Sequence, residues 1–255
     1  MAMHPDAPTV TVVIPCFNMG SYLAEAVDSV LAQTYRDHEI IVVDDGSDDP
    51  HTKAVLDEVE QRVAAVLKSE NQGVAAARNR GIRAARGSYI LPLDADDLLE
   101  PDFLAKGVPL LDRDPELSVV CCDALLLGAS SGTRRLHEFS PVRILSQNTL
   151  FVTSLFRKAD WQRAGGYCTW FRYGWEDWDF WITLSRRRFK VVRIPEALFS
   201  YRIRPVSRDR SITWPQKLWT LMLMIARHCP SYLRYPWALL DLVRNSAAAR
   251  KGRTS

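Results

Sequence analysis

Three carboxylates stand within four positions in the stretch YILPLDADDLLEPDF, directly after the apolar Ile90, Leu91 and Leu93: Asp94, Asp96 and Asp97. Like charges so close repel one another, and a carboxylate is costly to take out of water. Bulk water, arginines, helix N-termini or a divalent cation could offset that repulsion. A pair of aspartates spaced i and i+2 suits a hard cation. Mg2+ takes one or two protein carboxylates and completes its shell with water and phosphate oxygens, and Mn2+ accepts the same oxygens. The plain alternative is a solvated loop whose acids, Asp97 to Asp102, favour a helix N-terminus. A second acidic group lies in FRYGWEDWDFWITLSRR, where Glu176, Asp177 and Asp179 open a helix. Trp178, Trp181 and Ile182 follow at the i, i+3, i+4 spacing of a buried helix face. The helix dipole alone accounts for Asp179. It accounts less well for Trp170, Phe171, Tyr173 and Trp175 beside the acids, since aromatic rings next to carboxylates hold sugars and exclude water. A carboxylate held there suits a general base.

The elements that must position these groups alternate. TVTVVIP, from Thr9, is a β-branched run that reads as a buried parallel strand. A turn at Asn18, Gly20 and Ser21 leads to a helix over YLAEAVDSVLAQTY. EIIVVDDGSDD holds a second strand ending in Asp44, Asp45 and Gly46. A helix over Thr52 to Val63, a short strand AAVLKS, an alanine-rich helix stopped by Gly87, and a fourth strand SYILPL follow. Pro101 opens the next helix, and LSVVCCDALLL reads as a fifth strand. The alternation predicts an α/β fold with a mostly parallel, doubly wound sheet. Ligands in such sheets bind beyond the carboxyl ends of the strands. Pro15 to Asn18, Asp44 to Ser47 and Asp94 to Asp97 therefore share one rim. Asp and Gly are also ordinary turn formers there.

The whole chain narrows the classes. Its 255 residues suffice for one large α/β domain with a helical appendage. Hydrophobic content of 47%, charged content of 25% and a net charge of +3 are ordinary for a soluble protein and give no footprint for nucleic acid. Five cysteines without metal or CxxC spacing predict a reduced compartment. MAMHPDAPTV lacks the regions of a signal peptide, and no run of about 18 to 20 apolar residues would cross a membrane. The expected location is cytoplasmic, or peripheral at the inner face of a membrane. Neither G-x-G-x-x-G after the first strand nor G-x-x-x-x-G-K-[ST] is present, which argues against a dinucleotide dehydrogenase and a P-loop NTPase. The five histidines match no metal spacing and read as surface or packing residues. Cys121 and Cys122 read as core.

Four segments then occur in order: TVVIPCFNMGSYLAEAVDSVLAQTYRDHEIIVVDDGSDD, NQGVAAARNRGI, YILPLDADDLLEPDFL and GWEDWDFWITL. Together they resemble the inverting family-two glycosyltransferases with the GT-A fold, over roughly residues 9 to 205. The resemblance implies a metal-dependent, inverting hexosyltransferase that uses a nucleotide-sugar donor, UDP-sugar favoured, and Mg2+ or Mn2+. It implies that Pro15, Phe17 and Asn18, with Asp45, hold the nucleotide base, and that Arg78 lies near base or ribose. Asp94 and Asp96 would be the D-x-D pair. Asp94 with Ala95 would lie toward the ribose, and Asp96, with Asp97 as its alternative, would bind the metal on the diphosphate. Asp177 would be the general base, and Glu176 would help orient the acceptor. Trp175, Arg202 and Arg204 would line the diphosphate and acceptor region. One departure stands out in FSYRIRPVSRDRSIT. Arg204 occupies the place of a frequent histidine that can touch metal or phosphate, whereas an arginine can only pair with phosphate charge. Metal affinity would then fall, or diphosphate binding would rely more on Arg202, Arg204 and Arg208. A solvated basic loop is the plain alternative.

With that resemblance and the change of composition from Trp214, the expected division is a tail (1–8), a nucleotide-sugar half (9–125), an acceptor and catalytic half of the same domain (126–210), C-terminal helices (211–246) and a basic terminus (247–255). WPQKLWTLMLMIARHCP and SYLRYPWALLDLVRN read as two helices that pack on the core. A sharper reading turns their aromatic and basic residues toward lipid headgroups. The acceptor would be a carbohydrate or lipid-linked glycan. Two rivals remain. A nucleotidyltransferase that makes a sugar nucleotide would need a glycine-rich basic loop that CFNMGSYL lacks. A non-catalytic carbohydrate- or nucleotide-binding module would be free to lose the acids kept here.

Overall fold

The structure is a computed structural model and describes residues 7–186, 189–204 and 212–251. Strand β1 (Val10–Cys16) leads to α1 (Gly20–Leu31), β2 (His38–Asp44), α2 (Pro50–Glu60), β3 (Ala65–Lys68), α3 (Val74–Ala84) and β4 (Tyr89–Pro92). The chain continues through a two-residue strand, β5 (Leu98–Leu99), then α4 (Phe103–Arg113), β6 (Leu117–Gly128) and β7 (Gly132–Arg134). After a 3-10 turn at Arg143–Leu145 come β8 (Leu155–Arg157), α5 (Lys158–Ala164), α6 (Glu176–Ser185) and β9 (Lys190–Ile203). Helices α7 (Trp214–Arg227), α8 (Cys229–Arg234) and α9 (Pro236–Lys251) close the described chain.

Among the described residues one sheet runs in the order β3-β2-β1-β4-β8-β6-β9-β5, with β7 on the side of β6. The four strands β3, β2, β1 and β4 are parallel, as the alternation predicts. The fifth strand of the sequence reading, β6, is not the neighbour of β4. Strand β8 lies between them and is antiparallel to both. It has three residues, too few to show a period, so nothing in its sequence announces it. The expected border at 125/126 falls inside β6, which pairs along its length with β9, so the two expected halves share one sheet.

Every residue of β1 is buried, because helices cover both faces of the sheet. Val12 and Ile14 face a core with Leu23, Val27 and Leu56 of α1 and α2. Val13, between them, faces the opposite core with Ile82, Trp161, Phe180 and Trp181. Helix α3 lies close on this second face because position 81 is glycine. A Cβ there would collide with the Val13 side chain and approach Val43 to 3.0 Å. That contact sets how near α3, and so Arg78, comes to the strand ends.

The C-terminal segment departs from the two expected helices. It forms three, broken at His228 and Tyr235, and the second and third begin at or next to Pro230 and Pro236. They pack on the core as expected, through Met224, Tyr232, Ala238 and Leu242. Helix α9 carries on past the expected border at 247 to Lys251.

Candidate active site

A cleft of about 870 Å³ opens beyond the carboxyl ends of β1, β2 and β4. Its size is that of a small-ligand site. Each site residue derived from the sequence lines it except Asn18.

One wall is the turn that follows β4. The Asp97 N–H donates to the Asp94 carbonyl at 3.0 Å and closes the turn. The three acids that opened the sequence reading then find three partners. Asp94 Oδ1 accepts from Arg78 Nη2 at 2.6 Å. Asp96 Oδ2 lies 2.6 Å from Arg204 Nε. Asp97 Oδ1 accepts the backbone N–H of Arg202 at 2.9 Å and ties the turn to β9. Burial, then the Asp94 charge, pushes the Asp96 carboxyl up. Burial, Asp94 and Asp96 push Asp97 well up. Of the two acids expected at a cation, Asp97 is nearly sealed, whereas the Asp96 side chain keeps 15% of its surface open. Arg202 is engaged elsewhere. Its Nε donates to the Asp96 carbonyl, its Nη2 to Glu25 Oε2, and its guanidinium stacks over Tyr22 at 5.0 Å. Arg208 lies outside the described residues.

The loops after β1 and β2 form the floor. Asn18, in the left-handed region at φ 52°, works as a staple. Its Nδ2 donates to Asp48 Oδ1 at 2.7 Å, and its Oδ1 accepts from the Asp48 and Asp49 N–H groups. Its side chain thus joins loop to loop. Phe17 lines the cleft and is exposed. Asp45 accepts the N–H groups of Gln72 and Gly73 at 2.9 and 2.8 Å, which fixes the entry to α3. Burial raises its carboxyl, while those two N–H groups oppose the rise. Gly46, at φ 78°, allows the fit, for a Cβ there would sit 2.7 Å from the Asn71 nitrogen.

The opposite wall is the first turn of α6. Trp175, with φ 71°, turns the chain into the helix, a conformation uncommon for a bulky residue. It stands edge-on to Trp178 at 4.9 Å, and both line the cleft. The aromatic crowd expected from sequence divides here. Phe171 is core, and Trp170 and Tyr173 are not among the cleft-lining residues, so from this stretch Trp175 and Trp178 supply the rings, beside Phe17, Phe151, Phe199 and Tyr201 from elsewhere. Asp177 Oδ2 accepts from Asn148 Nδ2 at 2.9 Å. Burial, followed by the neighbouring Glu176, raises Asp177 to about 6. Asn148 is a site residue that the sequence reading does not find. No period or motif marks it, because its partner is 29 positions away.

Arg78 joins the walls. Its Nη1 donates to Glu176 Oε1 at 2.8 Å while Nη2 holds Asp94, and all of this guanidinium is buried. Burial disfavours its charge, but Asp94 and Glu176 outweigh burial and hold it protonated. Its two terminal nitrogens thus face carboxylates from opposite sides of the cleft. On the far side of the same helix turn, Asp179 does more than complement the helix dipole. Asp179 Oδ1 accepts from Arg227 Nε at 2.7 Å, and His228 Nε2 lies 2.8 Å from the same oxygen. His228, read as a surface or packing residue, is fully buried in this latch.

With the geometry in place, comparison with known proteins is decisive about the family. The model of glycosyl transferase family 2 matches residues 11–177, and the chain belongs to that family. The protein y4gI of Sinorhizobium fredii, uncharacterized, is 31% identical over 221 residues, 81% of this chain and 24% of its own length. The chain thus spans about a quarter of that relative. Staphylococcus aureus TarS in complex with UDP-GlcNAc superimposes with a TM-score of 0.71 at 19% identity, over 86% of this chain and 66% of the other. A Pyrobaculum calidifontis mannosyltransferase in complex with GDP-Man and Mn2+ gives 0.59 at 21% identity, over 97% and 76%. Such identities speak for the fold, which is GT-A.

Proposed function

We propose that the chain transfers a sugar from a nucleoside diphosphate donor, UDP-sugar favoured, to an acceptor hydroxyl in one displacement that inverts the anomeric carbon. One observation carries this reading: Asp177, raised to about 6 and held by Asn148, lines the same cleft as the Asp94–Asp97 turn. A carboxyl with that affinity for a proton is matched to a hydroxyl acceptor near neutral pH. Pro15, Phe17 and Asp45 hold the base, and Asp94 and Ala95 lie toward the ribose. The acceptor oxygen forms the new bond to the anomeric carbon as the bond to the diphosphate oxygen breaks. Its proton passes to Asp177. Glu176, fixed by Arg78, orients the acceptor, and Trp175 offers a ring for a sugar to stack upon. The acceptor is a carbohydrate or lipid-linked glycan. The UDP-GlcNAc in TarS supports a uridine donor, and the GDP-Man in the mannosyltransferase leaves guanosine as the competing choice.

The donor set fits Mg2+ or Mn2+. Among the described residues no three His, Cys, Asp or Glu side chains gather as a cage. These ions need only one or two carboxylates beside phosphate and water. Asp96, with Asp97 as the alternative, would hold the ion. A bound cation of this kind neutralises charge that builds on a leaving diphosphate. The Arg204 guanidinium sits at the same carboxylate and can pair with phosphate as well.

Calorimetric titration of UDP, with and without Mn2+, into the wild type and Asp96→Ala tests this. Metal-dependent binding that disappears in the variant is the expected result. Absence of binding by UDP and GDP under any metal would overturn the reading.

A further inference from the structure

We propose that the outward faces of the three C-terminal helices form a docking surface for an anionic lipid bilayer. Eight of the eleven large hydrophobic side chains exposed in the described chain lie beyond residue 213. Helix α7 is amphipathic in an inverted sense. Thr220 and Met224 face the protein, whereas Trp214, Trp219 and Met222 face outward, each more than half exposed. Leu233 of α8 is 78% exposed, and Trp237 and Leu240 of α9 repeat the pattern over buried Ala238 and Leu242. A helix that packs on a core and then stays in water has its polar side outward. Exposed apolar area concentrated in one segment marks a contact with something else.

The charge selects the occupant. From Trp214 to the last residue the sequence carries seven Lys and Arg against one acid, Asp241, and of the seven Arg227 is spent on the inward latch with Asp179. A second copy docked on the same face would set this basic excess against itself, because a two-fold interface pairs like with like. An anionic headgroup layer would neutralise it. Tryptophan supports the same choice, since its ring has an apolar body and a polar N–H and settles at the headgroup level. No helix among the described residues is long and apolar enough to cross a membrane, so the mode is one of lying on the surface. The surface adjoins the acceptor wall. Tyr232 Oη donates to the Leu145 carbonyl at 2.9 Å, and Asn245 Nδ2 to the Ser146 carbonyl at 3.2 Å, two residues before Asn148.

The test is co-sedimentation of the full chain with vesicles of phosphatidylcholine containing phosphatidylglycerol, beside vesicles of phosphatidylcholine alone. Binding to the first and not the second is expected. It should weaken on the order of 100-fold in Lys217→Glu/Arg234→Glu/Arg244→Glu, at roughly fivefold per basic residue reversed. It should also weaken in Trp219→Ala/Trp237→Ala. All five side chains are at least partly exposed, and unchanged circular dichroism and melting confirm that the variants fold. Equal binding to both vesicles, binding to neither, or a dimer that the tryptophan variant dissolves would each overturn the proposal. None of these outcomes depends on the transferase reading, because sedimentation needs no substrate.

Discussion

The two walls of the cleft keep their acids by different means. On the wall after β4, the proposed donor wall, three carboxylates share one turn, and each meets its own partner: Asp94 meets Arg78, Asp96 meets Arg204, and Asp97 meets a backbone N–H. On the first turn of α6, the proposed acceptor wall, two carboxylates stand side by side, and Arg78 lies between them and the other wall. Glu176 takes that cation directly. Asp177 has a neutral amide for its hydrogen bond, and burial with the neighbouring Glu176 raises it to about 6. Burial and neighbouring carboxylates push Asp96 and Asp97 up on the first wall although each has a partner, and on the second they raise Asp177 to about 6 and leave it able to accept a proton. Two neighbouring carboxyls with divergent environments divide into a structural acid and a base.

The largest expected effect separates those two acids. Asp177→Asn should lower kcat on the order of 10² to 10⁴-fold, the range for a lost general base, with UDP affinity unchanged. The folded-state value of Asp177 is raised, so the folded protein holds this proton more tightly than the unfolded chain. Ionisation above about pH 6 therefore costs stability. The variant should melt higher than wild type at pH 7.5, and the gain should shrink as pH falls through 6. Wild-type kcat/KM should rise with pH across the same window. An equal loss of UDP binding would merge the two walls and end the comparison.

Next in size is the strut between them. Arg78→Met leaves Asp94 and Glu176 without their shared cation, and truncation of one partner in a buried network costs about 3–5 kcal/mol. Urea denaturation should show that loss. A cost below about 1 kcal/mol would mean that Arg78 acts on ligand rather than between the walls. A smaller effect belongs to Asn148→Ala. Its amide favours the ionised form of Asp177, so the acid limb of the pH profile should move upward by about one unit. An unmoved limb would assign that limb to another group. Smallest is Asn18→Ala, which unfastens the floor. The expected loss is about 1 kcal/mol, a fall of roughly 2–4 °C in Tm for a chain of this size, with UDP affinity retained. Weaker UDP binding in a variant of unchanged Tm would return Asn18 to the nucleotide.

The acids of the turn after β4 were legible in the sequence because they are local. A run such as ILPLDADD states the strand, its end and the acids in one stretch, and parallel strands send such ends to one rim. The acceptor wall was legible only at Glu176 and Asp177. Asn148, strand β8 and the latch on Asp179 join positions far apart in the chain, and none has a period or a motif of its own. Arg78 was visible as a residue near the crevice. That it bridges two walls depends on the glycine at 81 and on an acid 98 positions onward. The aromatic stretch before α6 misled in detail for the same reason. Composition shows that rings are present, but the αL turn at Trp175 decides which of them face the cleft.

The latch on Asp179 also has a meaning in the order of synthesis. Its two partners lie 48 and 49 residues further along the chain. A nascent chain gains the partners of the Asp94–Asp97 turn once Arg202 and Arg204 have emerged, yet the turn that carries Asp177 is secured from behind only when Arg227 and His228 follow. At about 5–20 residues per second that interval lasts several seconds. A chain halted before Arg227 should accordingly bind nucleotide and fail in transfer.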